Sequence, residues 1–102
     1  MKTKIIFLTL LIYFSTSLSI YSAEYLGKNI DGTDYDCTAY SYSTGNYYYV
    51  TVEFYGDEAT ITFSNGGSIT VTLDDEVIDE PSSISAYDYN ESIYWELDVD
   101  LD

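Results

Sequence analysis

The sequence predicts an all-β protein: an antiparallel meander of six or more strands that forms a small barrel or a strongly curled sheet. Three observations carry this. From Val50 to Leu73 apolar and polar residues alternate strictly through V-T-V-E-F-Y, E-A-T-I-T-F-S and S-I-T-V-T-L, the period-2 pattern of strands with one buried face. Turn signals such as Gly56-Asp57 and Asn65-Gly66-Gly67 separate these runs, and similar signals recur about every ten residues. No window carries a helical period. A flat sheet would leave its apolar face open and its edges unpaired, so the meander has reason to curl or close.

Residues 1–23 read as a secretory leader. Met1-Lys2-Thr3-Lys4 is basic, Ile5 to Phe14 is an apolar core, and a Ser/Thr-rich stretch ends in Tyr21-Ser22-Ala23, the order of a signal peptide. The core is about ten residues long, too short for the roughly 20 that cross a bilayer, and no cysteine follows it to carry a lipid anchor. The alternative is an uncleaved anchor. The leader implies a secreted or periplasmic protein with one domain over residues 24–102, and no membrane contact once the leader is gone.

Residues 24–34 have no period and read as a lead-in loop. A first strand, Tyr35 to Tyr42, turns at Ser43-Thr44-Gly45-Asn46 into a second, Tyr47 to Tyr55. A four-residue loop sets Tyr42 opposite Tyr47, Tyr40 opposite Tyr49, Ala39 opposite Val50, Cys37 opposite Val52 and Tyr35 opposite Phe54. Gly56-Asp57 suits a tight hairpin with positive φ at its first position, placing Phe54 near Ala59 and Val52 near Ile61. Asn65-Gly66-Gly67 then sets Phe63 beside Ile69, Ile61 beside Val71 and Ala59 beside Leu73, with Thr60 facing Thr72 and Thr62 facing Thr70 on the wet side. The acidic stretch Asp74 to Pro81 is a loop with Val77 and Ile78 tucked under it. A fifth strand, Ser82 to Asp88, turns at Tyr89-Asn90 into a sixth, Ser92 to Asp100, pairing Ala86 with Ile93 and Ile84 with Trp95.

Charge bounds the function. Without residues 1–23 the chain has 79 residues, a domain that buries only about 60% of its unfolded surface. Lys28 is then its one basic residue against all 18 carboxylates, a net charge of −17. Such a surface repels nucleic-acid phosphates and anionic lipids and steers cations or basic proteins toward itself. The plainer alternative is that the acidity serves solubility in a salty habitat. Cys37 is the one cysteine, so no internal disulfide framework exists in an oxidising compartment. Its parity with Tyr35 and Ala39 predicts a buried thiol, the alternative being a bridge between chains. Asn90-Glu91-Ser92 matches a glycosylation acceptor, relevant only in a eukaryotic secretory path.

The chain has no His and no Arg, which excludes imidazole acid/base chemistry, a Cys-His dyad and a thiolate-imidazole zinc site. Paired carboxylates recur by chance in so acidic a chain, and we expect no enzyme. Calcium is the metal these ligands suit, and two segments offer it oxygens. One is Asp31, Asp34 and Asp36, with Glu53 opposite Asp36 in the expected register. The other is Asp74, Asp75, Glu76 and Asp79. The alternative is a pair of solvated acidic loops. Tyrosine is the other excess, with 13 in the chain. The register puts Tyr40, Tyr42, Tyr47, Tyr49 and Tyr55 on the face opposite the core, and Tyr94 likewise on the sixth strand. Rings beside carboxylates anchor a basic partner by cation–π contact and hydrogen bonding; they also pair well across strands, which is the structural alternative.

The layout resembles a known family. Tyr35-Asp36-Cys37 opens the first strand, V-T-V-E-F runs into a Gly-Asp turn, A-T-I-T-F precedes N-G-G and I-T-V-T-L, then come S-S-I-S-A-Y and I-Y-W-E. Over residues 35–97 this is similar to the small secreted barrels that inhibit c-type lysozyme. The resemblance implies a barrel that binds a strongly basic enzyme, and it carries Ser83 and Tyr87 over as contact residues. Ile84 stands where that family has a Gly, Ser85-Ala86 replaces its Ala-Arg, Glu96-Leu97 replaces its Ser and inserting Lys, and the second cysteine is missing. The inhibitory Lys therefore has no counterpart here.

The expectation is a non-enzymatic barrel without a resident cofactor that binds a basic protein, its site drawn from Tyr40, Tyr42, Tyr47, Tyr49, Ser83, Tyr87 and Tyr94. One alternative is an extracellular structural or adhesive protein with calcium-binding acidic loops. Another is an acidic domain of a salt-adapted secreted protein.

Overall fold

The computed structural model describes residues 22–101; the leader expected upstream falls almost wholly outside them. Nine strands and no helix make up the described chain: β1 (Glu24–Tyr25), β2 (Lys28–Asn29), β3 (Asp34–Ser41), β4 (Tyr47–Tyr55), β5 (Glu58–Phe63), β6 (Ser68–Leu73), β7 (Val77–Ile78), β8 (Ile84–Asp88) and β9 (Ile93–Val99). Six of them, β3-β4-β5-β6-β8-β9, form a closed antiparallel barrel in which β9 returns to pair with β3. Closure removes the free edges that an open meander would expose.

The alternation of the sequence becomes the alternation of inside and outside. Ala39, Val52, Phe54, Ile61, Ala86 and Leu97 are completely enclosed, with Cys37, Val71, Leu73, Trp95 and Val99 beside them. Small residues oppose large ones across neighbouring strands: Ala39 with Leu97, Ala59 with Phe54, and Ala86 with Trp95. In a six-stranded barrel the lumen is too narrow for bulky residues on every strand, so each alanine gives its partner room. At one end Tyr48, Phe63 and Trp95 form a ring cluster, with Trp95 5.9 Å from Tyr48 and 6.1 Å from Phe63.

The face assignments hold in every hairpin, but the registers differ from expectation in three of the four. Between β3 and β4, Tyr40 pairs with Tyr47 and Cys37 with Val50, two residues away from the expected pairing. The loop begins one residue earlier than expected: the Ser41 N–H donates to the Asn46 carbonyl at 3.0 Å, and the buried Ser41 Oγ accepts from the Ser43 and Thr44 N–H groups, both at 3.3 Å. Between β5 and β6, Ile61 pairs with Ile69, Ala59 with Val71 and Thr60 with Thr70. Here Asn65 Oδ1 accepts from Gly67 N–H at 2.9 Å and Gly66 takes φ 92°, a conformation that suits glycine. Between β8 and β9, Ala86 pairs with Trp95 and Ile84 with Leu97, the loop being set by Asp88, whose Oδ1 accepts from Asn90 and Glu91 N–H. The β4–β5 hairpin matches expectation, with Phe54 on Ala59, Val52 on Ile61, and Gly56 at φ 61°.

Two further differences lie outside the barrel. The lead-in segment is not a plain loop: β1 pairs with β2, and in parallel with β7 from inside the acidic stretch. Ile78 of this small sheet and the flanking Ala23 and Ile30 join the core, while Val77 stays exposed. A bridge between Asp31 and Phe54 and the Gly32 N–H to Phe54 carbonyl bond, at 3.0 Å, fasten it where β4 ends.

Candidate functional site

Outward-pointing residues of β4, β3, β9 and β8 build one continuous face. Register fixes its order: Tyr47 lies beside Tyr40, Tyr40 beside Glu96, Glu96 beside Ser85; one step along, Tyr49 lies beside Thr38 and Thr38 beside Asp98. Tyr94 and Tyr87 are directly paired at the other side. Tyr40, Tyr47, Tyr49, Tyr87 and Tyr94 fall on this face because even-numbered positions of β3 and β9 and odd-numbered positions of β4 and β8 share its parity, and Tyr42, just past β3, joins them through its ring contact with Tyr40.

The rings gather in two clusters. Tyr40 lies 5.0 Å from Tyr42, edge-on, and 4.8 Å from Tyr47. Tyr87 lies 4.6 Å from Tyr89 and 4.5 Å from Tyr94. In each cluster a half-buried ring, Tyr40 or Tyr87, supports exposed neighbours. Tyr49 is 86% exposed and Tyr47 71%, so these rings offer open aromatic surface. Ser83 lies before β8, and its Oγ donates to Glu96 Oε1 at 2.9 Å, which joins it to the face through that carboxylate. Glu96, Asp98 and Tyr89 belong to the site although sequence reasoning did not select them. Glu96 and Asp98 share the parity of Tyr94, a signal that was available; Tyr89 lies in a turn, where parity says nothing.

Beside the tyrosines an open groove of about 1000 Å³ runs across β9, β3, β4 and β5, where the inward-facing Cys37, Val50, Phe63 and Val99 share its lining with outward-facing residues. Asp36, Asp98 and Asp100 give it carboxylates, Thr38 and Thr51 give hydroxyls, and Tyr49 links it to the ring clusters. Beneath it, burial pushes the Cys37 thiol up to about 12, with the nearby Asp98 charge adding to the shift and a backbone hydrogen bond at Asp98 opposing it. Cys37 is a free, buried thiol among the residues that line the groove.

The acidic residues considered for calcium fall at three places: Asp31 beside the small sheet, Asp34, Asp36 and Glu53 on β3 and β4, and Asp74, Asp75, Glu76 and Asp79 around β7. Asp31 Oδ1 accepts from Ala23 N–H at 2.9 Å and from Gly56 N–H at 3.1 Å, a structural fastening. Asp36 faces Thr51, correcting the expected Asp36–Glu53 pairing; Asp34 is the residue opposite Glu53. The Tyr55 hydroxyl is raised above its ordinary 10.0 by a hydrogen bond to Glu53 and by the surrounding carboxylates. Asp74 and Asp79 are exposed, Glu76 is half-buried, and Asp75 Oδ1 caps Val77 N–H at 3.0 Å. Among the described residues no three acidic, histidine or cysteine side chains form a group suited to a metal ion.

The face can therefore offer ring surfaces, hydroxyls and carboxylate acceptors, the complement of lysine and arginine side chains. No family model, curated protein or solved structure matches this chain.

Proposed function

We propose that this is a secreted, non-enzymatic acidic barrel that binds a cationic protein, a lysozyme-like enzyme among the candidates, through the outer face of β4, β3, β9 and β8. The observation that carries the reading is the interleaving of Tyr40, Tyr42, Tyr47, Tyr49, Tyr87 and Tyr94 with Glu96 and Asp98 on one surface. Tyrosine brings large contact area at low conformational cost and is favoured at the centres of interfaces. The carboxylates bring selectivity for basic partners and speed their arrival. Ser83 and Tyr87, the contact residues that the resemblance carries over, fall at the β8 side of this face.

The test is a binding titration of the purified protein against c-type lysozyme and against other basic proteins, at low and at physiological ionic strength. Micromolar binding that weakens with salt is expected. The absence of salt-sensitive binding to every basic protein tried contradicts the proposal. A melting temperature raised by millimolar calcium, together with self-association, favours the adhesive alternative instead.

A further inference from the structure

We infer that export processing leaves Ala23 on the folded domain and cuts the chain upstream of it, between Ser19 and Ile20. The inference rests on the secretory reading of the first residues. Ala23 is the position at which that reading ends the leader, yet it is 0% exposed and belongs to the core with Ile30 and Ile78. Both of its backbone groups are used: its N–H donates to Asp31 Oδ1 at 2.9 Å, and its carbonyl accepts from Ile30 N–H at 3.0 Å.

A cut after Ala23 removes the acceptor of the Ile30 N–H. Ile30 is itself buried, so water does not readily replace that bond, and an unpaired buried donor is costly. The same cut takes away one of the two N–H groups that hold the Asp31 carboxylate, which also grips Gly56. It further puts a charged α-ammonium on Glu24, whose N–H now donates to the Glu76 carbonyl at 3.0 Å within the small sheet. Ala23 is thus part of the fastening between the lead-in segment and the barrel.

Upstream, two small-x-small runs of the kind a leader peptidase reads follow the apolar run, Ser15-Thr16-Ser17 and Ser17-Leu18-Ser19, and the second is the nearer to the folded domain. A cut there gives a leader of 19 residues, within the range of about 15–30 for such segments. The step is hydrolysis by an export peptidase: water adds across the Ser19–Ile20 peptide bond, giving a Ser19 carboxylate and an Ile20 ammonium. The domain then begins with Ile20, Tyr21 and Ser22 ahead of the buried alanine.

The experiment expresses the full chain with its own leader in an exporting host and reads the N-terminus of the exported protein by mass and sequence. Ile20 is the expected first residue. Ser19→Leu, a substitution outside the described fold, is expected to halt cleavage and accumulate precursor. An exported chain that begins at Glu24, or normal cleavage of the Ser19→Leu variant, overturns the inference while leaving the secretory reading intact. A wild-type chain that is never cut overturns both.

Discussion

Tyr42 and Tyr94 are joined backbone to backbone, the Tyr42 N–H donating to the Tyr94 carbonyl at 3.1 Å. This bond lies just past the last β3–β9 pair and ties the Tyr40/Tyr42/Tyr47 cluster to the Tyr87/Tyr89/Tyr94 cluster, so the two form one surface on a rigid support. If that surface binds a basic partner, Tyr47→Ala and Tyr94→Ala each weaken binding about tenfold, roughly 1.4 kcal/mol. Melting temperatures stay close to wild type because both rings are exposed. Tyr55→Ala, at the far end of β4, leaves the affinity unchanged. Binding isotherms and melting curves on the three variants check this.

Asp34 and Glu53 stand directly opposite each other on β3 and β4, and like charges so placed oppose folding. Glu53→Gln is expected to raise stability by about 0.2–1 kcal/mol, with the gain shrinking as salt screens the pair. The same change removes the Glu53 charge and weakens the acceptor of the Tyr55 hydrogen bond, the leading cause of the raised Tyr55 hydroxyl, so the Tyr55 phenol titrates closer to its ordinary value. Denaturant melts at two salt concentrations and a phenolate absorbance titration measure the two effects independently.

The turns carry a third prediction. Asp88 is buried and its carboxylate caps two N–H groups of the β8–β9 turn. Asp88→Ala leaves those donors without their acceptor and costs about 2 kcal/mol. Asn90→Ala, one turn residue away and exposed, costs little. Chemical denaturation of the two variants gives the comparison.

These capping residues also explain what was legible in the sequence. Parity identified the barrel, its core and the tyrosine face, because each strand residue points either in or out. A two-residue shift leaves that parity untouched, whereas a one-residue shift reverses it. Hydrophobic pattern therefore could not choose between Tyr40 facing Tyr49 and Tyr40 facing Tyr47. The side chains of Ser41, Asn65 and Asp88 chose, by capping N–H groups and so setting where each loop begins and ends. The Gly56-Asp57 hairpin was readable because two residues with a positive φ at glycine leave a single natural closure. The small sheet escaped notice because two-residue strands have no period. The hydrogen bonds that Asp31 accepts from Ala23 and Gly56, 8 and 25 residues away, were beyond any local pattern.

Cys37 gives the pH prediction. Its thiol is buried and pushed from 9.0 to about 12, so the folded state holds the proton that the unfolded chain releases. The unfolded state binds fewer protons between those two values, and stability falls as pH rises from about 9 to 12, by up to about 1.4 kcal/mol per pH unit from this group. Cys37→Ala lacks that contribution, so its stability deficit against wild type narrows with rising pH. At neutral pH a thiol-directed reagent reacts with unfolded chain and spares the native protein. Denaturation of both chains across the alkaline range and a labelling time course check the sign and the burial.

Residue-resolved tyrosine modification, read by mass spectrometry with and without saturating c-type lysozyme or another basic protein at low salt, tests the binding face most directly. The account predicts that Tyr42, Tyr47, Tyr49 and Tyr94 become protected together while Tyr55 keeps reacting at its free rate. Protection confined to Tyr55, or a bound complex in which all four rings react as they do in the free protein, contradicts it.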